Sequence, residues 1–301
     1  MKTLTVFTPT FNRAYCIHHC YESLCKQTSK DFEWLVIDDG STDNIKELID
    51  KYITENLILI RYIFQENQGM HGAHNAAYRN ILTELNVCVD SDDFMPDDAV
   101  ERIVTFWKAN GSEKYAGMIA LDQAVNGNII GTVFPENMKE TTLGGFYKSG
   151  GKGDKKLVYR TEIINQYPEY PLFEGEKYVN LAYKYSLVDQ DYSLLILNEV
   201  ICFVDYKVDG SSMNMYRQYW TNPKGFAFTR INDMKVVSKA FFAKFKTCTH
   251  YVSSCIIAKN KYFLNESPLK FLTILAIPCG VLLFLWIWYK VKNNIQLSRP
   301  E

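Results

Sequence analysis

The stretch VCVDSDD (87–93) is the feature from which the fold of this chain is best predicted. Its apolar start is typical of a buried strand, and three carboxylates follow, on Asp90, Asp92 and Asp93. In open α/β sheets, ligands bind in the crevice outside the carboxyl ends of the strands. Two carboxylates two residues apart at such an end can share a divalent cation with the oxygens of a diphosphate. A solvated acidic turn is the alternative, because Asp is common in turns.

Three more apolar runs precede this stretch, and each leads into polar residues. They cover residues 4–8, 32–37 and 57–64 and lead into Thr8-Pro9-Thr10, Asp38-Asp39 and Asn67-Gln68-Gly69. Helical patterns alternate with them at 15–26, from near Asn44, at 70–82 and at 96–109. This alternation predicts an α/β fold with a doubly wound, mainly parallel sheet flanked by helices. Polar residues at the ends of all its strands predict a single ligand crevice.

These strand ends also carry motifs that resemble a known family. VFTPTFNRA (6–14), VIDDGSTD (36–43), ENQGMHGAHNAA (66–77) and VDSDD (89–93) follow one another in the order seen in family 2 glycosyltransferases of the GT-A fold. The resemblance is close over residues 3–110 and looser up to about residue 215. It implies a transferase that uses a nucleotide-sugar donor and carries the family's DxD motif.

The resemblance also implies roles for individual residues. The nucleotide would be bound by Pro9, Thr10, Asn12, Asp38, Asp39, Asn67, Gly69, His71 and Asp90. Asp92, with Asp90 beside it, would hold Mg²⁺ or Mn²⁺. Members of the family often carry an Arg where this chain has His74, so phosphate contact at this position is open, and His71 is an alternative source of it. Both histidines are equally well interpreted as residues that pack or cap a helix.

A catalytic base is the next element that the resemblance predicts. Direct displacement at the anomeric carbon needs a carboxylate that takes the proton of the acceptor hydroxyl. The family's acidic pair corresponds to Gly175-Glu176-Lys177, where the second acid is missing, so Glu176 is the first candidate and Glu174 the second. Asp189 and Asp191 are weaker alternatives, and a surface charge is the competing interpretation of each.

The resemblance implies that the middle of the chain builds the acceptor side of the site. Residues 115–121 and 129–134 are strand-like and are joined by Asn126-Gly127-Asn128, which indicates a hairpin. Residues 144–156 are rich in Gly and Lys and predict a mobile loop, with an inert surface loop as the alternative. After a strand at 194–204, the resemblance places Lys207 or Ser211 near the diphosphate.

The C-terminal part predicts membrane attachment. Residues 269–289 carry one charge, and as a helix they would be about 31 Å long, enough to cross a hydrocarbon core. We therefore expect a catalytic domain at 1–215, an amphipathic helical region at 216–265 and a transmembrane or re-entrant segment at 266–292. The amphipathic face would bind anionic lipids through its aromatic and basic residues, namely Phe241, Phe242, Phe245, Lys239, Lys244 and Lys246.

Composition narrows the function further. A formal net charge of -1 gives no basic field, so we expect no nucleic-acid partner. None of the eight cysteines forms a CxxC pair, which argues against structural zinc or a disulfide framework and favours the cytosol. The N-terminus shows no charged region followed by an apolar core, so we expect no secretory signal.

Together these features predict an inverting, metal-dependent glycosyltransferase that is attached to a membrane with its catalytic domain in the cytoplasm. Its partners would be a donor, expected to be UDP-linked, a glycan or lipid-linked acceptor of surface polysaccharide synthesis, and membrane lipids. Two other functions fit the same crevice. A nucleotidyltransferase would carry a basic Gly-rich loop where this chain has PTFNRA (9–14), and a non-catalytic protein would bind the sugar nucleotide without turnover.

Overall fold

The computed structural model of the chain describes residues 2–205, 214–235 and 240–293. They divide into two compact units. The first unit contains residues 2–169 and 184–205, and the second contains residues 170–183, 214–235 and 240–293. The segment 170–183, which carries Glu174 and Glu176, thus belongs to the second unit, a grouping that the sequence did not predict.

A single mixed sheet forms the centre of the first unit. Its strands are β1 (Leu4–Thr10), β2 (Phe32–Asp38), β3 (Ile60–Phe64), β4 (Leu85–Cys88), β5 (Tyr115–Ala124), β6 (Glu140–Thr141), β7 (Lys155–Arg160) and β8 (Ser193–Val204). They lie in the order β3-β2-β1-β4-β7-β5-β8-β6. The first four strands are parallel to one another, β8 is parallel to β5, and β7 is antiparallel to both of its neighbours. The predicted mainly parallel α/β sheet is confirmed.

Helices flank this sheet, as predicted. They are α1 (Ile17–Lys26), α2 (Ile45–Glu55), α3 (Met70–Asn80), α4 (Ala99–Asn110), α5 (Leu143–Lys148), α6 (Thr161–Ile164) and α7 (Ala182–Asp191). Every residue of β1 and β2 is buried, which explains their continuous apolar and β-branched sequences. Leu24 of α1, Trp34 of β2 and Ile103 of α4 are fully buried in the same core.

Two predictions for the middle of the chain were wrong in part. The predicted hairpin forms only at its turn, where the Ala124 amide donates to the Asn128 carbonyl oxygen at 2.8 Å and the Ile130 amide donates to that of Asp122 at 2.9 Å, with an antiparallel bridge between Gln123 and Ile129. The residues after Gly131 do not continue as a second strand along β5. The physical reason is that β7 and β8 already occupy both edges of β5. The Gly- and Lys-rich segment 144–156 is not one loop, because it includes most of α5 and the first residues of β7.

The second unit is helical. It contains α8 (Met215–Thr221), α9 (Pro223–Lys235), α10 (Phe241–Ile257), α11 (Phe263–Glu266) and α12 (Lys270–Lys292). A break before Pro223 separates α8 from α9 within the predicted helical region 216–265. The apolar segment forms one continuous helix through Pro278. Lys207, Ser211 and Lys239, which the sequence analysis singled out, lie outside the described residues.

Candidate functional site

The predicted site residues of the first unit follow strands that end at one edge of the sheet. Thr10 at the end of β1 lies opposite Asp38 at the end of β2. The amide of Asp39 continues this pairing, because it donates to the carbonyl oxygen of Thr10 at 2.8 Å. On the other side of β1, the amide of Val89 donates to the carbonyl oxygen of Phe7 at 3.0 Å. The acidic residues after β2 and after β4 therefore flank the end of β1.

Asp38 and Asp39 are buried, and both carboxylates bind groups of the chain itself. Asp38 accepts hydrogen bonds from the Ser41 amide at 2.8 Å and from the Tyr62 hydroxyl at 2.5 Å. Burial and the adjacent Asp38 raise the pKa of Tyr62, so the phenol remains a donor. The Asp39 carboxylate accepts from the side chain of Gln65 at 2.6 Å and from the amides of Gln68 and Gly69, each at 2.8 Å. Asp39 thereby holds the loop that starts α3.

The loops after β1 and β2 are also bound to each other. The Asn12 side chain accepts from the Thr42 amide at 2.8 Å, and the Asn12 amide donates to the Ser41 hydroxyl at 2.9 Å. Asn12 adopts a left-handed backbone conformation with φ 54°, which Asn tolerates better than most residues. At Gly40, φ is +84° and an added Cβ would lie 2.8 Å from the amide nitrogen of Asn67, so a side chain does not fit there.

Pro9 and Thr10 are buried at the end of β1, between these loops and β4. The Thr10 hydroxyl has no hydrogen-bond partner among the residues that the structure describes. A buried hydroxyl without a partner destabilises the folded chain unless a ligand or a water molecule forms a hydrogen bond with it. Of the predicted nucleotide-binding side chains, Thr10 is thus one that retains unused hydrogen-bonding capacity.

The two histidines of α3 are both buried, at 1% exposure each. The Nδ1 of His74 lies 3.0 Å from the Met70 carbonyl oxygen, and its ring packs edge-on against Phe7 with the centroids 5.2 Å apart. Burial lowers the pKa of His74, which favours the neutral imidazole. A neutral ring does not replace the permanent charge of an arginine at this position.

The three acids after β4 differ in exposure. Asp90 and Asp92 are half-buried, whereas Asp93 is 4% exposed. Asp93 turns inward, where its carboxylate accepts from the Asp205 amide at 3.2 Å and lies 3.8 Å from the Lys156 ammonium. Burial raises the pKa of Asp93 against the opposing effect of Lys156.

Lys156 and Asp122 complete a buried charged cluster with Asp93. The Lys156 ammonium lies 3.7 Å from the carboxylate of Asp122, whose Oδ1 accepts no hydrogen bond from the described residues. Burial alone would lower the pKa of Lys156, but Asp122, Asp93 and their neighbours raise it well above the usual value. The lysine is therefore charged and holds two carboxylates below the crevice.

The donor chemistry at the crevice fits a hard divalent cation. Asp90 and Asp92 offer carboxylate oxygens, which are the ligands that Mg²⁺ and Mn²⁺ prefer. Among the described residues there is no cluster of three or more His, Cys, Asp or Glu side chains that would hold a metal. A cation held by these two acids therefore needs further oxygens from a ligand or from water.

Glu176, the first candidate for a base, contacts the N-terminus of α9 within the second unit. Its Oε1 and Oε2 accept from the amides of Lys224 and Gly225, each at 2.9 Å, and the side chain is buried. Glu174 is exposed. Asp189 binds the first amides of α5, with Gly144 N–H at 2.7 Å, and Asp191 accepts from the Tyr167 hydroxyl at 2.7 Å. Catalysis by Glu176 or Glu174 remains a prediction.

Sequence reasoning missed the inward direction of Asp93 and its partners. A weak signal did exist, because Asp122 follows the apolar run of β5 directly and Lys156 precedes the apolar run of β7 directly. The pattern does not show that the two charges meet, since 34 residues of sequence separate them.

The comparisons with known proteins concern both the motifs and the fold. The model of glycosyl transferase family 2 matches residues 5–167. Chondroitin synthase from Escherichia coli is 36% identical over 98 residues, which are 33% of this chain and 14% of that protein. The curated relatives that the chain matches first are longer than this chain, and the match spans between 14% and 33% of their length.

Two solved structures share the fold at low sequence identity. TarS 1-349 from S. aureus in complex with UDP-GlcNAc has a TM-score of 0.61 at 17% identity and covers 99% of this chain and 93% of that one. The mannosyltransferase PcManGT from Pyrobaculum calidifontis in complex with GDP-Man and Mn²⁺ has a TM-score of 0.54 at 14% identity and covers 96% of this chain and 80% of that one. The likeness in fold extends over nearly the whole chain.

Proposed function

Because the chain belongs to glycosyl transferase family 2, we propose that it transfers a sugar from a nucleotide-sugar donor to a hydroxyl group of an acceptor. The observation that carries this proposal is the half-buried pair Asp90 and Asp92 at the end of β4, beside the loops that follow β1 and β2. The carboxyl edge of a parallel sheet is where such folds bind nucleotides.

A UDP-sugar is the donor that we propose. The nucleoside would lie against Pro9 and Thr10, where the Thr10 hydroxyl has capacity for a further hydrogen bond. Asn12, Asn67, Gly69 and His71 would form the rest of the nucleotide site, together with the acids of both loops. Asp38 and Asp39 already bind the chain, so they would act mainly by holding these loops in place. The solved complexes named above contain UDP-GlcNAc in one case and GDP-Man in the other.

Asp92, with Asp90, would hold Mg²⁺ or Mn²⁺. When bound, such a cation neutralises charge that develops on the leaving diphosphate. The diphosphate oxygens would supply the ligands that two carboxylates cannot. Mn²⁺ accompanies GDP-Man in the mannosyltransferase complex, which supports a divalent cofactor.

The proposed reaction proceeds with inversion in a single displacement. The acceptor oxygen forms a bond to the anomeric carbon while the bond from that carbon to the phosphate oxygen breaks, and the acceptor proton passes to a carboxylate. Glu176 and Glu174 are the proposed bases, of which one takes this proton. Both oxygens of Glu176 already accept backbone hydrogen bonds and the side chain is buried, whereas Glu174 is exposed, so accessibility to an acceptor hydroxyl favours Glu174.

A polysaccharide precursor is the proposed acceptor, carried on a lipid at the cytoplasmic face of a membrane. Chondroitin synthase among the relatives supports a polysaccharide product. The helix α12 supports a membrane location, because by length and composition it is the candidate membrane helix among the described residues.

Donor turnover tests the proposal. UDP release would be measured with a panel of UDP-sugars and Mn²⁺ on membranes that contain the full chain, with Asp92→Asn beside the wild type. We expect release from one or two donors and a loss of about a thousandfold or more in the variant, since several kcal/mol of charge stabilisation disappear. Asp97→Asn is the matched control, because Asp97 is exposed and follows the same loop.

Two outcomes would overturn the proposal. UDP binding with Mn²⁺ but no turnover of any donor in the presence of a membrane glycolipid extract would indicate a non-catalytic binding protein. Pyrophosphate release from a nucleoside triphosphate would indicate a nucleotidyltransferase instead.

A further inference from the structure

The apolar helix α12 has two distinct faces. Thr273, Ala276, Gly280 and Ile287 are buried and lie within one narrow stripe of the helix. The opposite side carries large exposed apolar residues over its whole length. They are Phe271, Ile274, Leu275, Val281, Leu282, Leu285, Trp286, Trp288 and Tyr289. We call this set the outer arc.

The buried stripe packs on other helices of the second unit along most of α12. A Cβ added at Gly280 would lie 2.5 Å from Cβ of Val252, so α10 approaches the backbone of α12 closely there. Nearer the C-terminal end, Phe284 stacks with Trp220 of α8 at 6.2 Å between ring centroids. α12 is thus packed as part of a folded helical unit and is not an isolated helix.

This packing argues against a membrane-crossing orientation. If α12 crossed a bilayer, its neighbour α10 would have to enter the hydrocarbon core beside it. Within α10, Lys246 is exposed and His250 is half-buried, and a charged side chain in the bilayer centre is costly. A re-entrant hairpin would need a break in the middle, whereas α12 is continuous.

The ends of α12 suit the boundary between lipid and water. The Lys290 ammonium lies 4.6 Å from the ring centroid of Trp286, and that of Lys292 lies 5.0 Å from the ring centroid of Trp288. Tryptophan and lysine together are typical of the headgroup level of a membrane. The helix contains no acidic residue, and its lysines lie at its two ends, which matches anionic headgroups.

We infer that α12 lies in the plane of the membrane, with the outer arc inserted into the acyl region of one anionic leaflet and the buried stripe facing its own helical unit. The inference refines the membrane attachment within the proposed function and does not depend on catalysis. An in-plane helix of this kind inserts about 5–10 Å below the headgroups along its whole length.

A depth profile of the outer arc tests this orientation. Nitroxide labels would be attached singly at Phe271→Cys, Leu275→Cys, Leu282→Cys and Tyr289→Cys, after Cys25, Cys88 and Cys279 are replaced by serine. The full chain would be bound to vesicles of phosphatidylcholine and phosphatidylglycerol, and label depth measured by power saturation. We expect equal depths at all four sites. A crossing helix would instead place the two middle sites up to about 15 Å deeper than the ends, which would overturn the inference.

Vesicle partitioning with matched leucines provides the second measurement. Leu282→Glu should weaken partitioning by about tenfold or more, because an inserted leucine is lost, while Leu82→Glu should leave it unchanged. Leu82 is 73% exposed and Leu282 66% exposed, and they lie in different units. Equal effects of the two changes, or labels that all remain in water while the chain forms dimers, would show that the outer arc meets protein and not lipid.

Discussion

The acidic loops after β2 and after β4 look alike in sequence but handle their charges differently. In the first loop, Asp38 and Asp39 are both buried, and the chain itself occupies their carboxylate oxygens. In the second, Asp90 and Asp92 remain half-buried, and only Asp93 turns inward. The carboxylates after β2 stabilise the loops of the crevice, whereas two of the three carboxylates after β4 remain accessible to a ligand.

This difference predicts that substitutions in the two loops affect different properties of the protein. A carboxylate that accepts several hydrogen bonds from the chain contributes to folding, and its loss strands buried donors. A carboxylate that stays partly exposed at the crevice can be used by a cation or a phosphate-bearing ligand. Changes in the first loop should therefore act mainly on the free energy of unfolding, and changes at Asp90 and Asp92 mainly on ligand binding.

The largest effect on stability is expected on the inner side of the second loop. Lys156→Met leaves the buried carboxylates of Asp93 and Asp122 without their cation, which should lower the free energy of unfolding by about 3–5 kcal/mol. Urea unfolding of the full chain measures this loss. Lys152→Met is the control, because Lys152 is exposed and should cost almost nothing.

A second variant separates charge from packing at this cluster. Lys156→Met combined with Asp122→Asn removes the lysine together with its nearer carboxylate, at 3.7 Å. We expect this double variant to be more stable than Lys156→Met alone. If it is less stable, the cluster does not act through its charges.

A smaller loss is expected in the first loop. The Gln68 and Gly69 amides donate to different oxygens of Asp39, so Asp39→Asn removes the acceptor of one of them and should lower the free energy of unfolding by about 2 kcal/mol. Asp92→Asn should change it by less than about 0.5 kcal/mol. The comparison between the loops fails if the two variants are equally stable, or if Asp92→Asn is the less stable one.

Tyr62→Phe sharpens the same comparison with a single atom. The change removes the hydroxyl that donates to Asp38 at 2.5 Å and leaves the Ser41 amide in place. A hydrogen bond to a charged group should cost about 1.5 kcal/mol when it is lost. Tyr262→Phe is the control, since Tyr262 is 70% exposed. A loss no larger than in this control would mean that Asp38 is held by the backbone alone.

Sequence patterns predicted the parallel half of the sheet well, and physical reasons explain where they failed. β1, β2 and β4 are almost entirely buried, so their apolar runs are distinctive, whereas β3 at the edge of the sheet is only half-buried; each of the four is followed by polar residues. The predicted hairpin formed only at its turn, because pairing farther along β5 depends on which of its edges are free, and distant strands decide that. The family motifs assigned the acids of the first loop to the nucleotide and Asp92 with Asp90 to a metal, but only the folded chain shows that Asp93 turns inward. Glu176 was chosen for its position in a motif, and its contact with the Lys224 amide of α9 joins two positions that are 48 apart in the sequence.

A loss of stability confined to one helix is expected at Glu176. The two proposed bases differ as the two loops do, because Glu176 binds the chain and Glu174 is exposed. The Glu176 carboxylate lies at the N-terminus of α9 and accepts from the amides of Lys224 and Gly225 at 2.9 Å. Glu176→Gln keeps one acceptor and loses the charge that favours this helix end, so α9 should lose about 1 kcal/mol, seen as faster hydrogen exchange of those two amides. Glu174→Gln is the matched control and should leave exchange unchanged, because Glu174 is exposed.

If Glu174 is the base, Glu174→Gln abolishes turnover while Glu176→Gln retains most of it. The reverse result, with turnover lost only in Glu176→Gln while exchange at α9 stays normal, would make the buried acid the reacting group.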